Sequence, residues 1–169
     1  DLQKTKEIFI DKLFQSMEEN HYDDQLQAPW LETLSKILPV LRYVWHGFSM
    51  VAAYIGQMSP SGRMTITSLL QAADEVRRVE RVSYRMCQLQ KTNIQFGKDA
   101  KDLWQNHALW QPMRELVEKL LVAYDWGESF VALNLCVKPI LDDFFLIHLG
   151  KLAKNQGDPL LQEVLDRKS

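Results

Sequence analysis

The chain has 169 residues, of which 46% are hydrophobic and 25% charged, and its net charge is −2. That is the composition of one globular domain with a real core, and it gives no general affinity for nucleic acid. No apolar run is long enough to be read as a membrane span, and the opening Asp1-Leu-Gln-Lys-Thr-Lys6 is not a secretory leader. Cys87 and Cys136 are far apart and neither sits in a Cys-x-x-Cys, which reads as reduced thiols in a cytosolic protein. The first residue is not Met and the last four are Asp166-Arg-Lys-Ser169, so the chain reads as part of a longer polypeptide.

Residues 2 to 20 carry Leu2, Ile8, Phe9, Leu13, Phe14 and Met17, the spacing of an amphipathic helix. His21 to Ala28 is polar and turn-like. Pro29 then suits the first turn of a long helix, where its missing N–H costs nothing. Trp30 to Met58 is mostly apolar, with Pro39 inside it, so a kink or break is expected there. Ser59-Pro-Ser-Gly62 is the clearest turn, and a helix from about Met64 to about Lys91 follows it. On that helix Leu69, Leu70, Ala73, Val76, Val79, Val82 and Met86 recur at spacings of three and four, on one face. Asp74, Arg77, Arg78, Glu80, Arg81 and Arg85 mostly fall elsewhere.

Thr92 to Gly97 reads as a loop and Lys98 to Gln105 as a short helix. The next helix starts near Trp110 with Pro112 in its first turn, and its pattern allows continuation through Tyr124 into Asp125-Trp-Gly-Glu-Ser-Phe130. Apolar residues dominate Val131 to Leu152, interrupted by Pro139. Asn155-Gln-Gly-Asp158 ends that run and Pro159 begins the last helix. No alternating segment with turn flanks is present, so the fold class is all-α: an antiparallel bundle of long, Pro-kinked helices.

A di-iron site in such a bundle draws one Glu from each of two helices and a Glu-x-x-His from each of two others. Here the phrase is Glu75-Val-Arg-Arg78. A guanidinium does not lose its proton in a protein, so Arg78 cannot ligate iron. Between Glu32 and Asp74 there is no Asp or Glu, and the helix before Glu75 carries the bulk of Tyr43-Val-Trp-His-Gly-Phe48 instead. Two of the three ligands of this half are therefore missing. Glu128 falls near the middle of a long helical stretch and reads as a partly buried charge paired with an arginine. Asp142 and Asp143 point about 100° apart on a helix and read as an exposed face. His46, His107 and His148 lack partners at ligand spacing. No nucleophile elbow or phosphate-binding glycine loop is present. The site residues singled out are Glu75, Arg78 and Glu128, as degenerate metal-site positions held by ion pairing, with no catalytic residue and no metal ligand. Two readings of Arg78 stand: a buried stand-in for a cation, paired with Glu75, Glu128 or both, or an exposed i,i+3 pair.

Several stretches resemble the β subunit of the hydroxylase component of bacterial multicomponent monooxygenases of the toluene, phenol and alkene type. They are Leu41-Arg-Tyr-Val-Trp-His46, Ala53-Tyr-Ile-Gly-Gln-Met-Ser-Pro60, Gln71-Ala-Ala-Asp-Glu-Val-Arg77, Trp110-Gln-Pro-Met-Arg-Glu115 and Tyr124-Asp-Trp-Gly-Glu-Ser-Phe-Val-Ala-Leu-Asn134 with Lys138-Pro139. The last is the most distinctive. The resemblance implies a ferritin-like helical subunit without a cofactor of its own. Its partners would be an iron-bearing α subunit, whose di-iron centre uses O2 to hydroxylate or epoxidise hydrocarbons, and a γ subunit, in an (αβγ)2 assembly. A reductase and a small effector protein would act on that NAD(P)H-dependent complex. Family β subunits are about twice this length, so residues 1–169 are expected to be the helical core of a longer subunit. The competing readings are a self-sufficient di-iron or iron-storage bundle, which the missing ligands oppose, and a helical interaction module of unrelated function.

Overall fold

The computed structural model describes residues 22–165 together with Ile8, Asp11, Lys12, Phe14 and Gln15. The amphipathic helix expected over residues 2 to 20 therefore lies largely outside the described residues.

A 3-10 turn at Tyr22–Gln25 leads into helix α1, Ala28–Met58, which has Pro in its first turn. Pro39 does not break it: one helix runs through that position. The proline sits on the buried side, and its own backbone carbonyl accepts from Arg42 Nε at 3.2 Å. Helix α2, Gly62–Thr92, follows the three-residue turn Ser59–Ser61 and folds back along α1. The two approach closely near the turn, where a Cβ on Gly56 would lie 3.3 Å from Leu69 Cγ, Ser68 Cβ and the Thr65 carbonyl. Gly97, in the loop after α2, has φ of +74° and lies against Pro39 and Met86, a position that suits only glycine.

Helix α3 spans Ala100–Asn106 and α4 spans Gln111–Val122. The expected continuation of α4 into Phe130 does not occur. The chain is extended at Ala123 and Asp125, and a new helix begins at Trp126. Its cause is local: Asp125 caps the new start, its Oδ1 accepting the Glu128 N–H at 2.8 Å. From there five helical segments follow without a gap and are together called α5: Trp126–Val131, a π-helical Ala132–Val137, Lys138–Asp142, a second π-helical Asp143–His148, and Leu149–Asn155. The widened turns are marked by Lys138 N–H bonding the Leu133 carbonyl and Leu149 N–H bonding that of Phe144. Pro139 follows the first π turn, where its ring would crowd a normal helical carbonyl. Gly157 (φ +80°) ends α5 in a Schellman motif, with Asp158 N–H on the Ala153 carbonyl and Gly157 N–H on that of Lys154. Helix α6, Pro159–Leu165, closes the described part.

Helix α1 is the hub. It meets α2 along its length and also α3, α4 and the start of α5. Leu34, Leu38, Leu41, Val44, Trp45, Phe48, Val51, Ala52 and Ile55 put its apolar surface into one continuous core. No strand occurs among the described residues.

Candidate functional site

Helix α2 is turned the opposite way from its hydrophobic pattern over its first half. Ser68, Glu75, Val82, Arg85, Met86 and Leu89 are buried, and Ala72 and Val79 pack against the core. Ile66, Leu70 and Val76 are exposed, Ile66 63% and Leu70 62%, and Leu69, though half-exposed, lies against Gly56 of α1. The expectation that Leu69, Leu70, Ala73 and Val76 share the core face with Val82 and Met86 is corrected here. Glu75 is the centre of the inward face, and positions one or two residues away from it necessarily turn outward.

Glu75 is 1% exposed and holds two cations. Arg78 Nη1 lies 3.0 Å from Glu75 Oε2 and 3.4 Å from Asp142 Oδ1. Lys138 Nζ reaches Glu75 Oε1 and stands 3.6 Å from Asp142 Oδ2. The Arg78 side chain is 22% exposed and the Lys138 side chain 14%, so both cations reach the carboxylates from the edge of the core. Lys138 and Asp142 are one turn apart on the α-helical segment between the two π turns, which sets them on one face. Burial of the two carboxylates is tolerable because each is met by two positive groups.

Glu128 is not part of this cluster. It is exposed, at the third position of the capped helix start, and no ion pair of its side chain is found among the described residues. The structure therefore brings Glu75 and Arg78 together and leaves Glu128 apart. Asp142, expected on an exposed face with Asp143, is instead the second buried carboxylate, while Asp143 stays exposed beside His148 at 3.2 Å. His46 and His107 are exposed as well. The signal that could have placed Glu128 is the phrase Asp125-x-x-Glu128 itself, a helix-start signature.

The residues do not fit a di-iron centre. The partners of Glu75 are a guanidinium and an ammonium, neither able to donate to a metal, and the facing stretch of α1 contributes aromatic and aliphatic side chains. Among the described residues no group of three His, Cys, Asp or Glu is placed to hold a metal ion.

A second buried network was not foreseen. Arg85 is fully buried, with Nη1 2.7 Å from Asp23 Oδ1 and Nη2 3.6 Å from Asp158 Oδ1, and its guanidinium lies over the Tyr22 ring at 6.0 Å. Asp158 also accepts from Tyr22 Oη at 3.2 Å, Trp30 Nε1 at 3.3 Å and the Leu161 N–H at 3.0 Å, so it caps α6 as well. Tyr22 Oη donates further to the Gly157 carbonyl at 2.9 Å. Burial, and then the charge of Asp158, push the Tyr22 phenol above its ordinary value. Arg85 Nε and Nη2 lack hydrogen-bond partners, so the guanidinium is held mainly by charge.

The chain is thus an all-α bundle with two long paired helices and a charged interior layer. The chain aligns over 97% of its length with a subunit of toluene 4-monooxygenase, solved with toluene bound in the resting active site, at a TM-score of 0.93 and 34% identity; it covers 55% of that subunit. Xenon-pressurised phenol hydroxylase from Pseudomonas sp. OX1 has the same fold, at a TM-score of 0.87 and 20% identity over 96% of this chain and 49% of that one. The methane/phenol/alkene hydroxylase family matches residues 1–167, and the chain belongs to that family. It is 34% identical over 167 residues to the β subunit of the toluene-4-monooxygenase hydroxylase component of Ectopseudomonas mendocina, covering 98% of this chain and 51% of that protein. The small subunit of the propane 2-monooxygenase hydroxylase component of Rhodococcus jostii (strain RHA1) is 26% identical over 138 residues, 80% of this chain and 38% of that protein. The chain thus spans about half or less of these relatives.

Proposed function

We propose that the chain is the helical core of a non-catalytic structural β subunit in a multicomponent monooxygenase hydroxylase. In this reading it supports an iron-bearing α subunit that hydroxylates aromatic or alkene hydrocarbons with O2. The complex is cytoplasmic, an (αβγ)2 assembly served by a reductase and an effector protein. The observation that carries the reading is the inversion of α2. Its interior face holds Glu75, Arg78 and Arg85 in ion pairs, where an active subunit presents metal ligands, and Ile66, Leu70 and Val76 of its first half are left exposed. An isolated monomer has little use for Ile66, Leu69, Leu70 and Val76 in water, whereas an obligate subunit interface resembles a core cut in half. Val131, Leu135, Ile140 and Phe144 on α5 are exposed in the same manner. The stretch Tyr43 to Ile55, also rich in apolar residues, is enclosed by the chain's own helices apart from His46 and Met50, so its surface is not offered to a partner. No helix of the described residues is long and apolar enough to cross a membrane.

The test is co-expression of the full-length subunit with the α and γ subunits of the same organism, followed by affinity purification. The complex is expected to form with the wild-type chain and to be lost on Leu70→Glu with Val76→Glu, while far-ultraviolet circular dichroism of the variant alone is unchanged. Recovery of the wild-type chain without α and γ overturns the proposal.

A further inference from the structure

Among the described residues five buried side-chain polar atoms have no hydrogen-bond partner, and three of them fall in one place: Arg85 Nε, Arg85 Nη2 and Asp23 Oδ1. The Arg85 side chain is wholly buried. Its Nη1 stands 2.7 Å from Asp23 Oδ1 and donates to Gln88 Oε1 at 3.4 Å, while Nη2 is 3.6 Å from Asp158 Oδ1. Nε and Nη2 share one edge of the guanidinium, the planar fork of donors that suits a close acceptor. Asp158 does not serve that edge. Its Oδ1 already accepts from Tyr22 Oη and the Leu161 N–H, and its Oδ2 from Trp30 Nε1. Donors buried this deeply are paired in folded proteins, with the protein or with ordered water, because an unmade bond there is costly.

The chemistry of the edge selects its ligand. The guanidinium only donates, so the ligand must accept. Two carboxylates, Asp23 and Asp158, face this single guanidinium, so the surroundings carry surplus negative charge and reject an anion. Asp23 Oδ1 accepts and has no donor, so the ligand must also donate. Arg85 and Asp158 are both 0% exposed, which admits only the smallest ligands. Water meets all four conditions, and a buried water ordinarily makes about three hydrogen bonds to such groups. We propose that one ordered water is an integral part of this network, accepting from Nε and Nη2 of Arg85 and donating to Asp23 Oδ1. It ties the Tyr22–Gln25 turn to α2 by hydrogen bonds where the ion pair acts only by charge. The site is enclosed by this chain, so the proposal stands whether or not the chain assembles with an α subunit.

The experiment is a crystal structure of the full-length subunit at a resolution that shows bound water, with oxygen-17 magnetic relaxation dispersion of the same protein in solution to count its long-lived waters. A single density peak of water size is expected within hydrogen-bond distance of both Arg85 Nε and Arg85 Nη2, present in every copy. The count of long-lived waters is expected to fall by about one per chain in Arg85→Met, which keeps the apolar stem and removes the fork. An edge with no such peak, an edge filled by a side chain or carbonyl of any protein chain or by an ion, or an unchanged count in a folded Arg85→Met overturns the proposal. The crystal result needs no variant, so it decides the matter if Arg85→Met does not fold.

Discussion

Arg85 and Asp158 face each other at 3.6 Å with both side chains wholly buried, one from the C-terminal half of α2 and the other from the start of α6. With Asp23 and Tyr22 they tie both ends of the described chain to the middle of the bundle. The charge is confined on all sides, so its removal is felt more than that of any surface pair. Arg85→Ala leaves Asp158 and Asp23 without their cation and is expected to cost about 3–5 kcal/mol. The check is a urea titration, in which the midpoint falls while the slope is retained. A loss below about 0.5 kcal/mol, typical of a surface site, would contradict the network.

The same network predicts alkaline sensitivity. Tyr22 in the folded chain holds its proton more tightly than in the unfolded chain, first through burial and then through the negative charge of Asp158. Below the ordinary tyrosine value of about 10 both states are protonated, the stabilisation from the protonated phenol is fully present, and stability does not change with pH through this group. Above it the unfolded chain releases the proton first, the folded state binds more protons, and stability falls as pH rises toward the raised folded value. Stability of the wild type should therefore drop more steeply above about pH 10 than that of Tyr22→Phe, measured by denaturation at a series of pH values. Parallel curves would exclude the effect.

Asp125 ends one helix and starts another. Its carboxylate on the Glu128 N–H satisfies one of the free donors at the start of α5. Asp125→Ala is expected to cost about 1 kcal/mol and Asp125→Asn much less, read from thermal melts of the two variants. Equal melting temperatures for both and the wild type would show that the cap is idle.

Gly47 is a packing requirement of α1 against α4. A Cβ there would overlap Val117 Cγ1. Gly47→Ala is expected to destabilise by about 1–3 kcal/mol through overpacking. Combined with Val117→Ala the loss should be less than the sum of the two single losses, since the added methyl fills the space vacated. Strict additivity in a double-mutant cycle would count against the contact.

Much of the bundle was legible because helix boundaries are local. Ser59-Pro-Ser-Gly62, Pro29, Pro112 and Gly157-Asp-Pro159 each act within a few residues, and the helices begin and end where those residues require. The orientation of α2 was not legible. Its seven apolar residues point to a core face only if apolar always means inward. Here Glu75, Arg78 and Arg85 turn inward in pairs with residues distant in sequence, and no local pattern announces Lys138, Asp142, Asp23 or Asp158 as those partners. Glu75 and Arg78 could be paired from their spacing of three. Glu128 could not be excluded from them while α4 and α5 were read as one helix, because the break at Ala123–Asp125 is what rotates it away. The π turns of α5 leave no mark beyond Pro139, yet they decide which side chains of that helix meet α2.

The most direct measurement is where iron resides. The full-length subunit, alone and in complex with its α and γ partners, is reconstituted with ferrous iron, and the metal is quantified in each chain after separation. The account predicts no stoichiometric iron on this subunit, because Arg78 and Lys138 already neutralise Glu75 and Asp142, and all of the iron of the complex on the α partner. Two irons per isolated chain, with the absorption of an oxo bridge, would contradict it.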